Sequence, residues 1–239
     1  MKLASSLLLA CCLFAAPAFA NEVSLASSRD MLLEFKLSPY TPMIDVGYTS
    51  GQGPYQRVFG GGPMLLGELE YEYQFFQKVG TLAVGFSAGY AEKFAKAFIA
   101  NTDIRSADTT GLRLIPLKAL ITYRFDYFWV HGNVPLIPYA KFGVVGMPWF
   151  AVKGSDIETA DGLRGAGFKV GIAGTIGVSF CLDVLDRRMA RDFDSSTGVN
   201  HTYLFGEFTG QDLQLYEAPG SLPLNLSSAH WDFGLAFEF

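Results

Sequence analysis

The side chains able to do chemistry in this chain are few, and their spacing limits what they can do. Glutamates alternate at Glu68, Glu70 and Glu72. On an extended chain such residues share one face. The ladder could therefore pass a cation, or hold one carboxyl protonated as an acid–base group. The plainer reading, preferred here, makes the three glutamates salt-bridge partners for Lys36 and for the strand on the other side. His131, His201 and His230 stand at no metal-ligand spacing to one another or to a cysteine, so no zinc site is expected. Cys181 by itself cannot build a metal cluster and reads as packing. Ser228 and His230, with Glu34 or Glu68 approaching across a closed sheet, come nearest to a Ser/His/acid set, but their spacing establishes no hydrogen-bonded triad. The glycine runs Gly60–Gly62 and Gly171-x-x-Gly174-x-x-Gly177 lack the Lys-Ser/Thr of a phosphate loop. No cofactor is expected.

The elements that must position these residues follow from composition. The chain has 239 residues, 50% hydrophobic, 15% aromatic and 17% charged, with a net charge of −5. That apolar content excludes a disordered chain, and the negative charge argues against a nucleic-acid partner, which calls for a basic face. Met1-Lys2, an apolar run from Leu3 to Phe14 and Ala18-Phe19-Ala20 read as a signal peptide over 1–20, leaving 21–239 as one domain. A lipoprotein signal ahead of Cys11 is the weaker alternative. Cleavage after Ala20 removes Cys11 and Cys12, so no intramolecular disulfide can form. Past residue 20, no stretch free of Asp, Glu, Lys and Arg exceeds 14 residues. A spanning helix needs about 20. With 26 glycines, 21 Phe, 11 Tyr and 3 Trp, the chain favours sheet.

Period-two alternation marks eight strands. They fall at 30–38, 65–77, 80–91, 113–127, 136–151, 164–183, 201–210 and 230–239. In 164–183 the face Phe168, Val170, Ile172, Ile176, Val178, Phe180 opposes Lys169, Ala173, Thr175, Ser179 and Cys181. Two segments are less regular. Val144-Val145 blurs the phase of 136–151, where a bulge is plausible, and 201–210 carries large apolar residues on both faces. Connections alternate between short (77–80, 128–135) and long (39–64, 92–112, 152–164, 211–228). Val184 to Ser196 reads as a charged helical turn on the short side. The expectation is an all-β, eight-stranded antiparallel transmembrane β-barrel with short periplasmic turns, longer extracellular loops and one short periplasmic helix.

If the apolar face meets lipid, the charged face lines the lumen. It collects Glu34, Glu68, Glu70, Glu72, Asp126, Asp232 and Glu238 together with Lys36, Lys118, Arg124, Lys141 and Lys169. An eight-stranded barrel is wide enough only for side chains to fill it, and unpaired buried charges are costly. A paired, plugged interior follows. Tyr71, Tyr73, Tyr90, Tyr123, Tyr127, Trp129, Trp149 and Trp231 are expected in the interfacial girdles.

The chain ends in an alternating aromatic strand, Trp231, Phe233, Leu235, Phe237 and Phe239. This resembles the signal read by the outer-membrane barrel-assembly machinery. Four further segments carry a family resemblance: Ser38-Pro39-Tyr40-Thr41-Pro42-x-Ile44-Asp45; Asp108-Thr109-Thr110 with Pro116-Leu117; Asn133-x-Pro135-x-x-Pro138-Tyr139-x-Lys141; and Gly198-Val199-Asn200-His201-Thr202-Tyr203. They resemble a family of myxobacterial-type outer-membrane β-barrel proteins of unknown function. The resemblance implies a barrel in a Gram-negative outer membrane, with outer-membrane lipid and the assembly machinery as partners, and no catalytic residues. The expected role is structural or surface-interacting, through loops 39–63 and 92–112. A small-solute or apolar-molecule channel and a lipid-modifying enzyme are the alternatives.

Overall fold

Alternating apolar and polar residues make extended chain the state that sorts side chains onto two faces, and nearly every such run here is a strand. The computed structural model describes residues 29–239 except 50, 99–101, 103, 133, 155 and 161. The signal peptide expected over 1–20 lies outside the described residues. The main strands are β1 (Met31–Tyr40), β2 (Met64–Lys78), β3 (Gly80–Phe98), β4 in two pieces (Arg105–Leu114 and Leu117–Arg124), β5 (Leu136–Lys153), β6 (Ala166–Cys181), β7 (His201–Glu217) and β8 (Ser228–Glu238). Pro116 lacks a backbone N–H, and the ladder of β4 breaks there. Its carbonyl still accepts from Gly89 N at 2.9 Å.

Each strand pairs antiparallel with the next. β8 then returns to β1 with Leu33 opposite Phe237 and Phe35 opposite Leu235. The ring of eight strands is closed, so no edge is left with unpaired backbone groups. Outward residues are apolar: Phe35, Leu37, Leu69, Phe86, Ile121, Phe142, Ile176 and Phe233 are all exposed. Inward residues include buried glutamates and lysines. A closed ring with an apolar outer wall and a polar interior is a transmembrane β-barrel, because only closed barrels and helices satisfy their backbones in lipid.

The rim where β1 starts and β8 ends (the lower rim) carries the tight connections. Between β2 and β3 only Val79 intervenes, and Gly80 turns the chain with φ 88°, in the left-handed region that glycine tolerates. The helix α2 (Tyr127–Gly132) joins β4 to β5. A 3-10 turn (Leu182–Val184) and the helix α3 (Arg187–Thr197) join β6 to β7. Asp186 caps α3 by accepting from Arg188 N (2.9 Å) and Met189 N (3.0 Å). The sequence anticipated α3 but not α2, nor the helix α1 (Pro54–Phe59) in the loop after β1.

Several expectations need correction. Residues 92–112 are mostly not a loop: β3 runs on to Phe98 and β4 begins at Arg105, so the hairpin stands above the barrel. In the same way β7 continues to Glu217. The β5–β6 pairing runs from Phe150 opposite Ala166 to Leu136 opposite Phe180 without a register shift, so there is no bulge at Val144-Val145. Val145 simply points inward, where the lumen has become apolar. Trp149 points inward too and is fully buried, and Trp129 packs against the lower core. Neither joins a girdle, whereas Tyr71, Tyr73, Tyr90, Tyr123, Tyr127 and Trp231 are exposed.

One irregularity does occur between β6 and β7, where the register shifts at Val170/Ile172. A Cβ on Gly171 would overlap the carbonyl of Asp212. Gly171→Ala is expected to lower stability by about 1–3 kcal/mol, read as a lower urea midpoint at unchanged slope. An unchanged midpoint would show that the bulge gives way freely.

Candidate functional site: the closed lumen

The register places glutamates opposite one another. Glu34 faces Glu70 and Lys36 faces Glu68 across β1–β2, so neighbouring carboxylates can coexist only around cations. Lys141 of β5 reaches across to provide one. Its Nζ lies 2.5 Å from Glu34, 2.8 Å from Glu70, 3.2 Å from Glu72 and 3.8 Å from Glu207. Lys36 Nζ lies 2.6 Å from Glu70, 2.7 Å from Glu207 and 3.3 Å from Glu34. Arg124 completes the cluster at 3.7 Å from Glu34, with its guanidinium against the rings of Tyr139 and Tyr203. Every member is buried. Neutral donors add to these ion pairs: Thr122 donates to Glu72 at 2.6 Å and Tyr139 to Glu207 at 2.8 Å, while Glu34 Oε1 and Glu72 Oε2 accept no hydrogen bond.

Six of the residues expected in the lining, Glu34, Lys36, Glu70, Glu72, Arg124 and Lys141, thus meet in one cluster. The others separate. Glu68 and Lys118 form their own pair at 2.8 Å. Asp232 accepts from Ser38 and, at 2.5 Å, from Thr209. Glu238 has no lysine or arginine within salt-bridge distance among the described residues, and accepts from Tyr203 (2.7 Å) and Gln74 (2.9 Å). Asp126 lies past the end of β4, half-buried, accepting from Thr81 at 2.6 Å. Lys169 sits toward the upper rim and pairs with Glu217 at 3.1 Å. Asp126 and Lys169 are therefore not part of the central cluster. Glu207 is, and sequence reasoning missed it. The signal was present: Tyr203, Phe205, Glu207 and Thr209 alternate inward, but the two aromatics disguised that face as a lipid face.

The charged layer is closed above and below. Toward the upper rim Tyr40, Leu66, Leu114, Met147, Trp149 and Leu213 fill the barrel. Ile44 and Tyr55 of the first loop close over them. The loop is held to this position. Tyr40 donates to the carbonyl of Leu226, and both oxygens of Asp45 accept backbone N–H groups at the start of α1 (Tyr55 and Gln56, each 2.8 Å). Burial, with the Asp45 carboxylate nearby, pushes the Tyr55 hydroxyl up to about 12. Toward the lower rim Leu32, Ile137, Cys181, Tyr203 and Phe205 pack together with Trp129 of α2 against them. The motif Ser38-x-Tyr40…Ile44-Asp45 thus assembles the upper closure.

The Ser/His set is also inside. Ser228 Oγ lies 3.2 Å from His230 Nδ1, and His230 Nε2 lies 3.4 Å from Asp232. The acid is therefore Asp232, while Glu34 and Glu68 are engaged by lysines. All three residues are buried on the lumen side of β8, so the serine faces away from lipid. A groove of about 660 Å³ does open on the outer wall, between Phe35, Leu37, Leu69, Tyr90 and Phe233, but its apolar lining offers an acyl chain contact without a nucleophile. At the lower rim Cys181 is buried in the core, and Asp183 and His201 lie beside it.

No protein-family model matches the chain and no curated protein matches it. Among solved structures of similar shape, Neisserial surface protein A (NspA) is 13% identical with a TM-score of 0.48, over 89% of this chain and 98% of that one. Ail, the attachment invasion locus protein of Yersinia pestis, is 10% identical with a TM-score of 0.44, over 88% and 97%. The outer membrane enzyme PagL is 10% identical with a TM-score of 0.41, over 87% and 99%. At such identities the likeness is one of shape, and the fold assignment stands on the closed ring and its two faces. The fold is that of an outer-membrane β-barrel.

Proposed function

We propose that this protein is an integral outer-membrane barrel of a Gram-negative bacterium with a filled lumen, serving a structural or surface-interaction role through its upper-rim loops. One observation carries the reading: a paired charged layer lies between two apolar layers, so the interior is packed like a core and not hydrated like a channel. Short turns belong to the periplasmic side of such barrels, which puts the upper rim outside the cell. There Val46, Tyr48, Phe94 and Ile104 are exposed and offer apolar contact to a partner. The terminal run Trp231, Phe233, Leu235, Phe237 and Phe239 is proposed as the signal to the assembly machinery. Membership of the myxobacterial-type family is proposed on the four segments quoted above.

Planar bilayers test the reading. The inserted protein is expected to leave the membrane insulating. Steady single-channel steps would overturn the filled lumen and favour a small-solute channel.

A further inference from the structure

We infer that the lower rim carries a binding site for a zinc-type divalent cation, built from Cys181, Asp183 and His201. The barrel's own register assembles it. Cys181 ends β6 opposite Tyr203 of β7, so His201, two residues before Tyr203, falls beside the chain leaving β6. Asp183 occupies the 3-10 turn that follows Cys181. One ligand atom from each residue, thiol, carboxylate and imidazole, lies within 4.8 Å of the other two. A tetrahedral zinc ion sits about 2.3 Å from sulfur and about 2.0–2.2 Å from nitrogen and oxygen. Nitrogen and oxygen ligands at those distances stand about 3.4 Å apart, so the 2.6 Å contact between His201 Nδ1 and Asp183 opens as the ion enters and the sulfur closes in.

The donor set selects the ion. One sulfur, one imidazole nitrogen and one carboxylate oxygen suit a borderline transition cation, while magnesium and calcium prefer oxygen alone. Three protein ligands leave a fourth position for solvent. The surroundings also fit. The Asp183 backbone segment is tied to β7, because Asp183 accepts from His201 Nδ1 at 2.6 Å and from Thr202 N at 3.3 Å. Trp129 lies edge-on to the imidazole at 5.6 Å and shields one side of it. Cys181 is fully buried, but the side chains of His201 and Asp183 are 23% and 13% exposed, so an ion can enter from the rim. On binding, the Cys181 thiol loses its proton to solvent and the thiolate sulfur donates to the metal. Nothing is oxidised or reduced.

The glutamates Glu34, Glu70 and Glu72 form the other acidic set of metal-binding size, but Lys141 already occupies its centre. The two sites are told apart by sulfur. The test titrates the purified, detergent-folded full barrel with cobalt(II) and then displaces the cobalt with zinc. Expected are one cobalt per chain and a thiolate-to-cobalt charge-transfer band in the near ultraviolet that zinc abolishes. Cys181→Ser should remove the band, and His201→Gln should weaken binding by at least about tenfold. Both variants should keep the heat-modifiable gel migration of the folded barrel; if Cys181→Ser does not fold, His201→Gln, at a partly exposed position, still reads the site. Absence of the band in the folded wild type, or cobalt binding unchanged by His201→Gln, would overturn the proposal.

Discussion

Replacing Lys141 with methionine is expected to destabilise the barrel by about 3–5 kcal/mol, the range for breaking a buried ion pair by removing one partner. Lys141 is the hub of the charged layer. Its single ammonium lies within 4.0 Å of Glu34, Glu70, Glu72 and Glu207, and neither it nor these glutamates reach solvent. Methionine keeps the stem and the volume but leaves those carboxylates facing one another with only Lys36 and Arg124 nearby. The loss is a desolvation penalty, so it should be recovered in part by neutralising an acid. The double variant Lys141→Met/Glu70→Gln is expected to be more stable than Lys141→Met alone. Urea unfolding from lipid vesicles measures both. Equal stability of Lys141→Met and wild type would mean that the layer is hydrated and that the ammonium has a water substitute.

Ile176→Arg is expected to cost about 2–4 kcal/mol, the depth-dependent penalty for a cation on the lipid face at the bilayer midplane. Ile176 is 66% exposed on β6, flanked across the ladders by Ala140 and Phe208, and it precedes the lower end of β6 at Cys181 by five residues, about half of the roughly 9–11 residues that cross the hydrocarbon. Its inward neighbour Thr175 shares a hydrogen bond with Thr209 at 2.9 Å. The same substitution on the exposed loop residue Val46 should be near neutral. The contrast separates a lipid-facing wall from a solvated one, because on a soluble barrel neither arginine would matter. Unfolding midpoints in vesicles of matched thickness give the comparison.

The outer wall was legible in the sequence because lipid imposes a uniform rule on it. Every second residue is apolar, and the run Phe168 to Phe180 obeys without exception apart from Gly174. The lining is under no such rule. Near its middle it must pair charges, so Glu34, Lys36, Glu70 and Lys141 announced themselves. Toward the rims it is apolar, and Val145, Met147 and Trp149 then look like a second lipid face. That is why 136–151 seemed out of phase when its register is continuous, and why Glu207 was lost between Phe205 and Phe208. The zinc-type set was hidden for a different reason. Cys181 and His201 are 20 residues apart in the chain and become neighbours only because α3 loops out and returns β7 to the edge of β6. The link from Ile44 and Asp45 to the upper closure was likewise invisible, since a helix cap and a buried loop residue leave no period to read.

The alternation on β6 is the most direct test of a barrel with lipid outside and packed side chains within. Single cysteines at Thr175, Ile176, Val178 and Ser179, placed in a Cys181→Ser background, can carry nitroxide labels in the vesicle-inserted protein. Their collision rates with oxygen and with a water-soluble nickel reagent are then compared. Labels at Ile176 and Val178 should be open to oxygen and closed to nickel, and labels at Thr175 and Ser179 should be closed to both. Nickel access at Thr175 and Ser179 matching that of an exposed rim residue, or no alternation along the strand, would contradict the account.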